Sequence, residues 1–230
     1  MRLLLLRHGQ TASNVVGALD TARPGAPLTA LGERQAAAVP AALRAEPIAG
    51  IRASTLIRTQ QTAAPLATAR AETVTVLDGL REISAGSLEM LSDHDSQGEY
   101  TATAFAWARG DLELRMPGGE SGREFFERFD AAIAQAVAGM GETVIVVSHG
   151  AAIRTWVASR CANLSGDFAG SHTLDNTGLV TVERRTHGDW NLVDWHSTPV
   201  GGSELEDHAA ADPTGERTAE PPAPLNEPAE

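Results

Sequence analysis

Two short aliphatic runs, each followed directly by a His-Gly pair, limit the folds open to this chain most strongly. The first run, residues 3–6, leads into an Arg-His-Gly triplet that contains His8, and the second, residues 144–147, leads into a Ser-His-Gly triplet that contains His149. Aliphatic runs of this length are typical of strands buried on both faces, as parallel strands are in α/β folds. Ligands in such folds bind beyond the carboxyl ends of the strands. The pattern therefore predicts one pocket that contains both imidazoles.

Further strand and helix patterns predict an α/β fold. Strand patterns occupy residues 48–53, 74–77, 179–184 and 190–195, the last two as a hairpin turned at residues 187–189. Helical patterns occupy residues 29–43, 56–69, 99–109, 121–138 and 151–160. Thr29 is a predicted N-cap, Ser121 with Glu124 is a predicted capping box, and Pro40 should kink its helix or end it early. Strands that alternate with helices favour an α/β sandwich with a largely parallel sheet.

Composition and charge exclude several function classes. A chain of 230 residues with 42% hydrophobic content can bury one sizeable core. The single cysteine, Cys161, fits a reducing compartment, so we expect a cytoplasmic protein. A net charge of -12 would repel nucleic acid and anionic membranes, and neither is an expected partner. The apolar runs fall short of the roughly 20 residues that span a bilayer, and the N-terminal leucines are too few for a signal peptide.

The last part of the chain differs in composition from the rest. From Gly201 onward, eight carboxylates stand against one arginine, Arg217, which gives this part a charge of -7. Pro, Ala and acidic residues dominate it, and few large apolar side chains are present to offset the entropy of ordering. We therefore predict a catalytic domain over residues 1–197 and a disordered acidic tail over residues 198–230.

The residues around the first His-Gly pair suit phosphoryl transfer. A neutral imidazole at His8 can attack a phosphoryl group and form a phosphohistidine that water later hydrolyses. Such a transfer spreads negative charge over three oxygens and needs cationic clamps. Arg7 is one predicted clamp, because a guanidinium binds two phosphate oxygens at once. Gly9 would let the backbone approach the anion, and Asn14, one helical turn after Gln10, would add an uncharged donor.

Two further groups should come from other strand ends. Arg58, which opens the helix after the second predicted strand, is the predicted second clamp. The leaving alkoxide needs a proton, which a carboxylic acid can give before its carboxylate activates the water. Glu82, in the irregular stretch after the third predicted strand, is the candidate for this acid, and Asp78 and Glu89 are its competitors.

Together these motifs resemble those of the histidine phosphatase superfamily, in its phosphoglycerate-mutase-like branch. The resemblance covers roughly residues 1–195 and rests on five blocks in order. The blocks are the Arg-His-Gly signature with the following Gln and Thr in residues 6–11, residues 54–63, the acid block of Leu80, Glu82, Gly86 and Glu89, the Gly-Gly-Glu-Ser loop at 118–121, and Ser-His-Gly at 148–150. One triplet alone would be weak, whereas five blocks at suitable spacings are specific.

By this resemblance, His8 is the phosphorylated nucleophile and Glu82 the proton donor, with Arg7, Arg58 and His149 also part of the catalytic set. The residues that would bind the phosphate or the substrate are Arg7, Gln10, Thr11, Asn14, Arg58 and His149. The resemblance also implies a three-layer α/β/α sandwich with a mostly parallel central sheet and a small helical lid. It implies no metal and no cofactor.

Three positions depart from the family pattern. Thr55 stands where proline is common, Met90 follows Glu89 where glycine is usual, and Ser87-Leu88 replaces a frequent aromatic residue. The last two changes lie on the lid side of the expected pocket. They bear on the identity of the substrate rather than on the reaction.

The leading hypothesis is a metal-independent phosphatase that acts on a small phosphorylated metabolite, and its oligomeric state is left open. One alternative is a phosphoglycerate mutase, which must retain a bisphosphate and so favours extra basic residues, whereas residues 86–108 contain no Lys or Arg. Another is a non-catalytic member that binds a phosphorylated ligand; such a protein would be expected to lack the nucleophile or the acid. Candidates for secondary anion contacts are Arg81, Arg109 and Arg115.

Overall fold

Six strands form one mixed sheet in the computed structural model, which describes residues 1–141, 143–184 and 188–216. In chain order they are β1 (Arg2–Arg7), β2 (Ile48–Ala53), β3 (Val74–Val76), β4 (Thr143–Ser148), β5 (Leu179–Arg184) and β6 (Trp190–His196). Their order across the sheet is β3-β2-β4-β1-β5-β6. The first four strands are parallel, β5 is antiparallel to β1, and β6 is antiparallel to β5. The expectation of a mostly parallel sheet is confirmed.

Helices connect and cover these strands. They are α1 (Ala12–Val16), α2 (Ala30–Ala42), α3 (Ile57–Arg70), α4 (His94–Ala108), α5 (Gly122–Val137), α6 (Gly150–Arg160) and α7 (Phe168–Ser171), with short 3-10 helices at Asp78–Leu80, Gly86–Leu88 and Ser203–Leu205. The predicted N-cap at Thr29 and the capping box of Ser121 with Glu124 are both present. None of the helices in the described residues is long and apolar enough to cross a membrane.

Alternate side chains of the central strands point to opposite helical layers. Leu4 and Leu6 pack with Val39 of α2 and Leu66 of α3 on one face of the sheet, while the other two leucines of β1 face the layer of α4, α5 and α6. All four leucines are fully buried, and burial of each side chain contributes about 1.5–3 kcal/mol. The four leucines thus fix β1 at the centre of a three-layer α/β/α sandwich, as expected.

Several element boundaries differ from their predictions. Helix α4 begins at His94, earlier than predicted, because the side chain of Asp93 accepts from the N–H of Ser96 and caps the first turn. Pro40 lies in the last turn of α2, and the helix continues to Ala42. Proline removes one N–H bond to the preceding turn, and here that loss does not end the helix. The predicted hairpin turn falls partly on residues 185–187, which lie outside the described residues.

The described part of the predicted tail is packed against the domain. Leu205 is buried, and its carbonyl oxygen accepts from Nε2 of Gln35 at 2.9 Å. Asp212 forms an ion pair with the buried Arg7. The expectation of disorder from residue 198 therefore differs from the structure over residues 198–216, because ionic and hydrogen-bond anchors hold a segment that is poor in apolar residues. Residues 217–230 lie outside the described residues.

Candidate active site

The ends of β1 and β4 lie side by side in the middle of the sheet, with Arg7 opposite Ser148. The residues that follow these two strands are therefore adjacent. The backbone N–H of His8 donates to the carbonyl of Ser148 at 3.0 Å, and the ring centroids of His8 and His149 are 5.2 Å apart. Both rings are buried. Two strand ends that are distant in the sequence thus build one site.

The ring of His8 is held in one tautomer. Its Nδ1 lies 2.8 Å from the carbonyl oxygen of Gly9, and because a carbonyl only accepts, Nδ1 carries the proton. Its Nε2 therefore has a lone pair, which accepts from Nε of Arg58 at 3.0 Å. Burial and the positive charges of Arg58 and Arg7 lower the pKa of His8 well below its usual 6.5. Near neutral pH, His8 is an uncharged imidazole with an unprotonated nitrogen.

Arg58 lies in the first turn of α3 and reaches the loop after α1. Its Nη2 donates to the carbonyl of Asp20 at 2.8 Å, and its Nη1 is 3.8 Å from the carboxylate of the same residue. Nη1 is buried and has no hydrogen-bond partner among the described residues. The guanidinium is thus positioned by Asp20 and retains a donor for an anionic oxygen. Sequence reasoning missed Asp20, since nothing distinguishes a loop aspartate from a solvated one.

His149 precedes α6 and is oriented by the loop between β2 and α3. Its Nε2 lies 2.7 Å from Oγ of Ser54, which also accepts from the backbone N–H of Leu56 at 3.2 Å. Its Nδ1 is buried without a hydrogen-bond partner in the part of the chain that the structure describes. Burial, and then the charge of Arg58, lowers the pKa of His149 well below 6.5. One ring nitrogen is therefore fixed and the other is unpaired among the described residues, although neither His149 nor Arg7 is among the residues that line the cavity at His8.

Glu82 lies in the loop after β3 and places its carboxylate at the N-terminus of α6. Its Oε1 accepts from the backbone N–H groups of Ile83 at 2.9 Å and Ala152 at 2.8 Å, and its Oε2 accepts from Ala151 at 3.2 Å. These bonds favour the charged form. Burial outweighs them and raises the pKa of Glu82 above its usual 4.5. The group is thus disposed to hold a proton that it can donate.

The two carboxylates that competed with Glu82 for the acid role lie elsewhere. Asp78 is exposed and pairs with Arg81 at 2.7 Å. Glu89 accepts from the backbone N–H groups of Thr21 and Ala22 at 2.8 Å and 2.9 Å, and so fastens the loop after α1. Neither carboxylate lines the cavity at His8.

The loop that carries Glu82 is held by Arg128 of α5. The two Nη atoms of Arg128 donate to the carbonyl oxygens of Gly79, Arg81 and Glu82, each at 2.9 Å. Glu120, from the Gly-Gly-Glu-Ser loop, pairs with Arg128 at 2.6 Å. Sequence reasoning predicted a helix cap at Ser121 in that loop but no role for Glu120, and it missed Arg128 because the residue lies within a regular helix.

Arg7 and Asn14 lie beside His8, but the C-terminal segment engages both. Nη2 of Arg7 donates to Oδ1 of Asp212 at 2.7 Å and to Oγ1 of Thr214 at 2.9 Å. Nη1 donates to the carbonyl of Leu174 at 2.6 Å. Nδ2 of Asn14 donates to the same Oδ1 of Asp212 at 3.3 Å. Two predicted phosphate ligands thus hold a carboxylate.

Gln10 and Gly9 serve packing in this structure. Nε2 of Gln10 donates to Asp207 at 2.7 Å, Oε1 accepts from Oγ1 of Thr29 at 2.8 Å, and the side chain lines no part of the cavity. A Cβ at Gly9 would lie 2.7 Å from the carbonyl oxygen of Gly32 in α2. The glycine therefore permits the close approach of a helix, whereas sequence reasoning had linked it to the approach of an anion.

The remaining predicted residues divide between the cavity and the surface. Thr11 lines the cavity and caps α1. Of the proposed secondary anion contacts, Arg81 and Arg115 form ion pairs outside the cavity and Arg109 is exposed. Met90 has a φ of +63°, a conformation that glycine adopts far more easily than other residues, which accounts for the family preference at this position.

The cavity at His8 is small and combines groups from several loops. It has a volume of about 20 Å³. Its lining consists of His8, Thr11, Ser13, Asn14, Ala18, Leu19, Asp20, Thr21, Arg58, Glu82, Asp212, Pro213 and Thr214. An uncharged imidazole, a guanidinium and a carboxyl group of raised pKa are the groups that phosphoryl transfer through a histidine requires. Within the described residues, no group of three or more His, Cys, Asp or Glu side chains could hold a metal ion.

Comparisons with known proteins agree on one family. The model of the histidine phosphatase superfamily (branch 1) matches residues 3–198. A PE-PGRS family protein, PE_PGRS11 of Mycobacterium tuberculosis, is 38% identical over 216 residues, which cover 87% of this chain and 37% of that protein. The chain therefore spans little more than a third of that relative. A probable phosphoglycerate mutase, GpmB of Salmonella choleraesuis, is 33% identical over 160 residues, covering 69% of this chain and 74% of the relative. A solved mycobacterial glucosyl-3-phosphoglycerate phosphatase, complexed with VO3, superposes with a TM-score of 0.72 at 26% identity, covering 86% of this chain and 99% of the other.

Proposed function

We propose that the chain, which belongs to the histidine phosphatase superfamily, is a phosphoric monoester hydrolase that cleaves a small phosphate monoester through a phosphohistidine on His8. The observation that carries the proposal is the tautomer of His8. Its proton is held on Nδ1 by the carbonyl of Gly9, which leaves the lone pair of Nε2 on the side of Arg58. A nitrogen of this kind is a nucleophile without any prior loss of a proton.

In the first step, Nε2 of His8 attacks the phosphorus, and the bond from phosphorus to the ester oxygen breaks. The carboxyl group of Glu82 gives its proton to the leaving alkoxide. In the second step, the Glu82 carboxylate takes a proton from water, the water oxygen attacks phosphorus, and the N–P bond breaks. Phosphate leaves, and His8 and Glu82 return to their initial protonation states. The raised pKa of Glu82 and the lowered pKa of His8 both support these assignments.

The proposed clamps for the phosphoryl oxygens are Arg7, Arg58 and His149, with Asn14. The buried atoms Nε of Arg7, Nη1 of Arg58 and Nδ1 of His149 have no hydrogen-bond partner among the described residues. Buried polar atoms without partners are rare in folded proteins, and a bound phosphoryl group would satisfy them. Arg58 would turn its Nε from His8 to the substrate as the substrate enters.

A small phosphorylated metabolite is the proposed substrate class. The solved relative is named for its action on glucosyl-3-phosphoglycerate. The cavity at His8 has a volume of only about 20 Å³, which favours a small substrate. We propose that the protein acts in the cytoplasm, on the basis of its single cysteine, Cys161, which is buried and whose pKa is raised to about 12 by burial.

A phosphoglycerate mutase is the second candidate, because the Salmonella relative bears the name of a probable one. A mutase must keep a bisphosphate bound while it turns over. The proposed clamps supply only two guanidinium groups, those of Arg7 and Arg58, and Arg81, Arg109 and Arg115 do not line the cavity. This lining favours hydrolysis. A non-catalytic ligand-binding role is disfavoured, since both a nucleophile and an acid line the cavity.

The test is an assay of phosphate release from an aryl phosphate in the presence of EDTA, together with rapid-quench capture of a phosphorylated histidine. We expect turnover to survive EDTA and the label to be on His8. Interconversion of 2- and 3-phosphoglycerate, measured on the same preparation, would identify the mutase instead. Phosphate release that requires an added metal ion would contradict the proposal.

A further inference from the structure

The cavity at His8 is closed on one side by residues 199–216, which we call the strap. Pro213 and Thr214 of the strap form part of the cavity wall. The carbonyl of Thr214 accepts from Nη1 of the buried Arg154 at 2.8 Å. The backbone N–H of Leu174 donates to the carbonyl of Gly215, also at 2.8 Å. Before these residues, the backbone N–H of Ala211 donates to the carbonyl of Val15 at 3.3 Å. The strap is therefore fixed to the domain on both sides of the residues that form the cavity wall.

The strap delivers the carboxylate of Asp212 to two of the proposed phosphate ligands. Oδ1 of Asp212 lies 2.7 Å from Nη2 of Arg7 and 3.3 Å from Nδ2 of Asn14. Oγ1 of Thr214 donates to the same oxygen at 3.2 Å. Asp212 is only 8% exposed. An anionic oxygen with three converging donors occupies the kind of position that a phosphoryl oxygen would take.

The closed cavity does not accept a phosphoryl group. Its volume of about 20 Å³ exceeds only slightly the 10–15 Å³ or so that one water molecule needs. The lone pair of His8 is also engaged by Nε of Arg58. Entry of a tetrahedral phosphoryl group therefore requires groups of the lining to move. Arg58 must release His8, and Asp212 must release Arg7 and Asn14 if these two residues are to bind the phosphoryl oxygens.

The negative charge of the strap also opposes the binding of a phosphate ester. Residues 199–216 contain five carboxylates and no Lys or Arg. On its other side Asp212 lines a second cavity of about 240 Å³, whose lining includes Asp175, Glu206, Asp207 and Glu216. That lining repels an anion, so a phosphate ester gains no alternative site there.

We propose that the strap is an internal competitor of the substrate, in which the Asp212 carboxylate holds Arg7 and Asn14 until a phosphoryl group displaces it. The inference rests on the proposed function for the identity of the phosphate ligands. It goes beyond that function, because it makes the affinity of the enzyme for phosphate a property of residues 199–216. Substrate binding and release of the strap are then one equilibrium.

The first test is the dissociation constant of inorganic phosphate, measured calorimetrically on the full chain. Asp212→Asn removes the charge and keeps the shape. It should lower this constant by about tenfold or more, because phosphate no longer has to displace a carboxylate from Arg7 and Asn14. Glu204→Gln is the matched control, since Glu204 is an exposed carboxylate of the same strap, and it should leave the constant unchanged. An equal or larger constant in Asp212→Asn would overturn the proposal.

The second test needs no variant and decides the matter if Asp212→Asn fails to fold. Hydrogen exchange of the wild-type chain is followed with and without saturating phosphate. The N–H of Ala211, which donates to the carbonyl of Val15 at 3.3 Å, should exchange faster with phosphate, while β4 stays unchanged. Slower exchange would mean that the strap closes over its ligand, and unchanged exchange that it does not move; either overturns the proposal. Neither test requires turnover, so a failure of the proposed phosphatase activity is recognised separately.

Discussion

The ends of β1 and β4 present the same His-Gly pair, yet their two imidazoles are held in opposite ways. His8 is fixed through Nδ1 by the carbonyl of Gly9 in its own loop, and its Nε2 faces Arg58. His149 is fixed through Nε2 by Ser54 from a different loop, and its Nδ1 has no hydrogen-bond partner among the described residues. Both pKa values are lowered, mainly by burial.

The neighbours of a strand end, and not the motif on it, therefore decide which ring nitrogen is left for chemistry. At β1 the available atom is Nε2 of His8, whose lone pair lies beside the guanidinium of Arg58 and suits attack on phosphorus. At β4 the fixed ring lies next to the N-terminus of α6, where Glu82 accepts from Ala151 and Ala152. We therefore assign attack to the β1 end, and charge stabilisation and proton transfer to the β4 end.

Replacement of His8 by Ala should give the largest loss of activity among the changes at the two strand ends. Without Nε2 no phosphohistidine forms, so we expect kcat for an aryl phosphate to fall by roughly 10⁵-fold or more, the size of loss typical of a missing nucleophile. Steady-state kinetics measures the loss, and a thermal unfolding curve close to that of the wild type shows that the variant is folded. Substantial turnover by His8→Ala would break the assignment.

Glu82→Gln tests the proton donor beside the β4 end. Loss of a general acid typically costs 10²–10⁴-fold, and we expect about 10³-fold in kcat on an alkyl phosphate. A p-nitrophenyl ester should suffer much less, because its leaving group needs little protonation. The ratio of the two losses is the measurement. Equal losses on both esters would place the acid elsewhere.

His149→Gln should give a smaller loss than either. One donor to the developing charge is removed while the nucleophile is retained, so we expect kcat to fall by about 10²-fold, and rapid quench should still capture phosphohistidine. Ser54→Ala, which frees the ring of His149 but keeps both histidines, serves as the control and should cost a few-fold. Loss of the phosphohistidine in His149→Gln would mean that the β4 end, and not the β1 end, supplies the nucleophile.

The smallest expected effect concerns stability, where the two ends should behave alike. Both histidines are uncharged in the folded protein and bind a proton near pH 6.5 when unfolded, so each removes stability as the pH falls below 6.5. Each contributes about 1.4 kcal/mol per pH unit at most. Glu82 acts oppositely, since its raised pKa gives stability at low pH that is lost as the pH rises past it.

Urea unfolding at a series of pH values between 6.5 and 5.5 or so checks this linkage. The free energy of unfolding of either His8→Gln or His149→Gln should depend less on pH than that of the wild type, by about 1.4 kcal/mol per pH unit at most. Equal slopes in wild type and variants would show that the rings are charged in the folded state.

Much of the fold could be predicted because the four central residues of β1 and of β4 are all aliphatic. This pattern predicts β1 and β4 and predicts that His8 and His149 share one pocket, and their ring centroids are 5.2 Å apart. Arg58 and Glu82 followed from the rule that ligands meet the carboxyl ends of strands.

The contacts that the sequence did not indicate are polar and long-range. The ion pair between Arg7 and Asp212 joins the two ends of the described chain, and composition alone favoured disorder around Asp212. Arg128 holds the Glu82 loop from within a regular helix, where nothing local distinguishes it from a solvated arginine. Such contacts depend on the tertiary fold, and the hydrophobic periodicity of the sequence does not predict them.

The position of β1 between β4 and β5 also has a consequence for how the protein folds. β1 comes early in the chain, whereas both of its sheet neighbours come after residue 142. Pairing between strands so far apart in the sequence is slow, because the entropic cost of closing a large loop comes before the favourable contacts form. Until then the four leucines stay uncovered and are open to association with other chains. His8, the proposed nucleophile, is therefore synthesised early, whereas the site around it is completed only after β4 has been made.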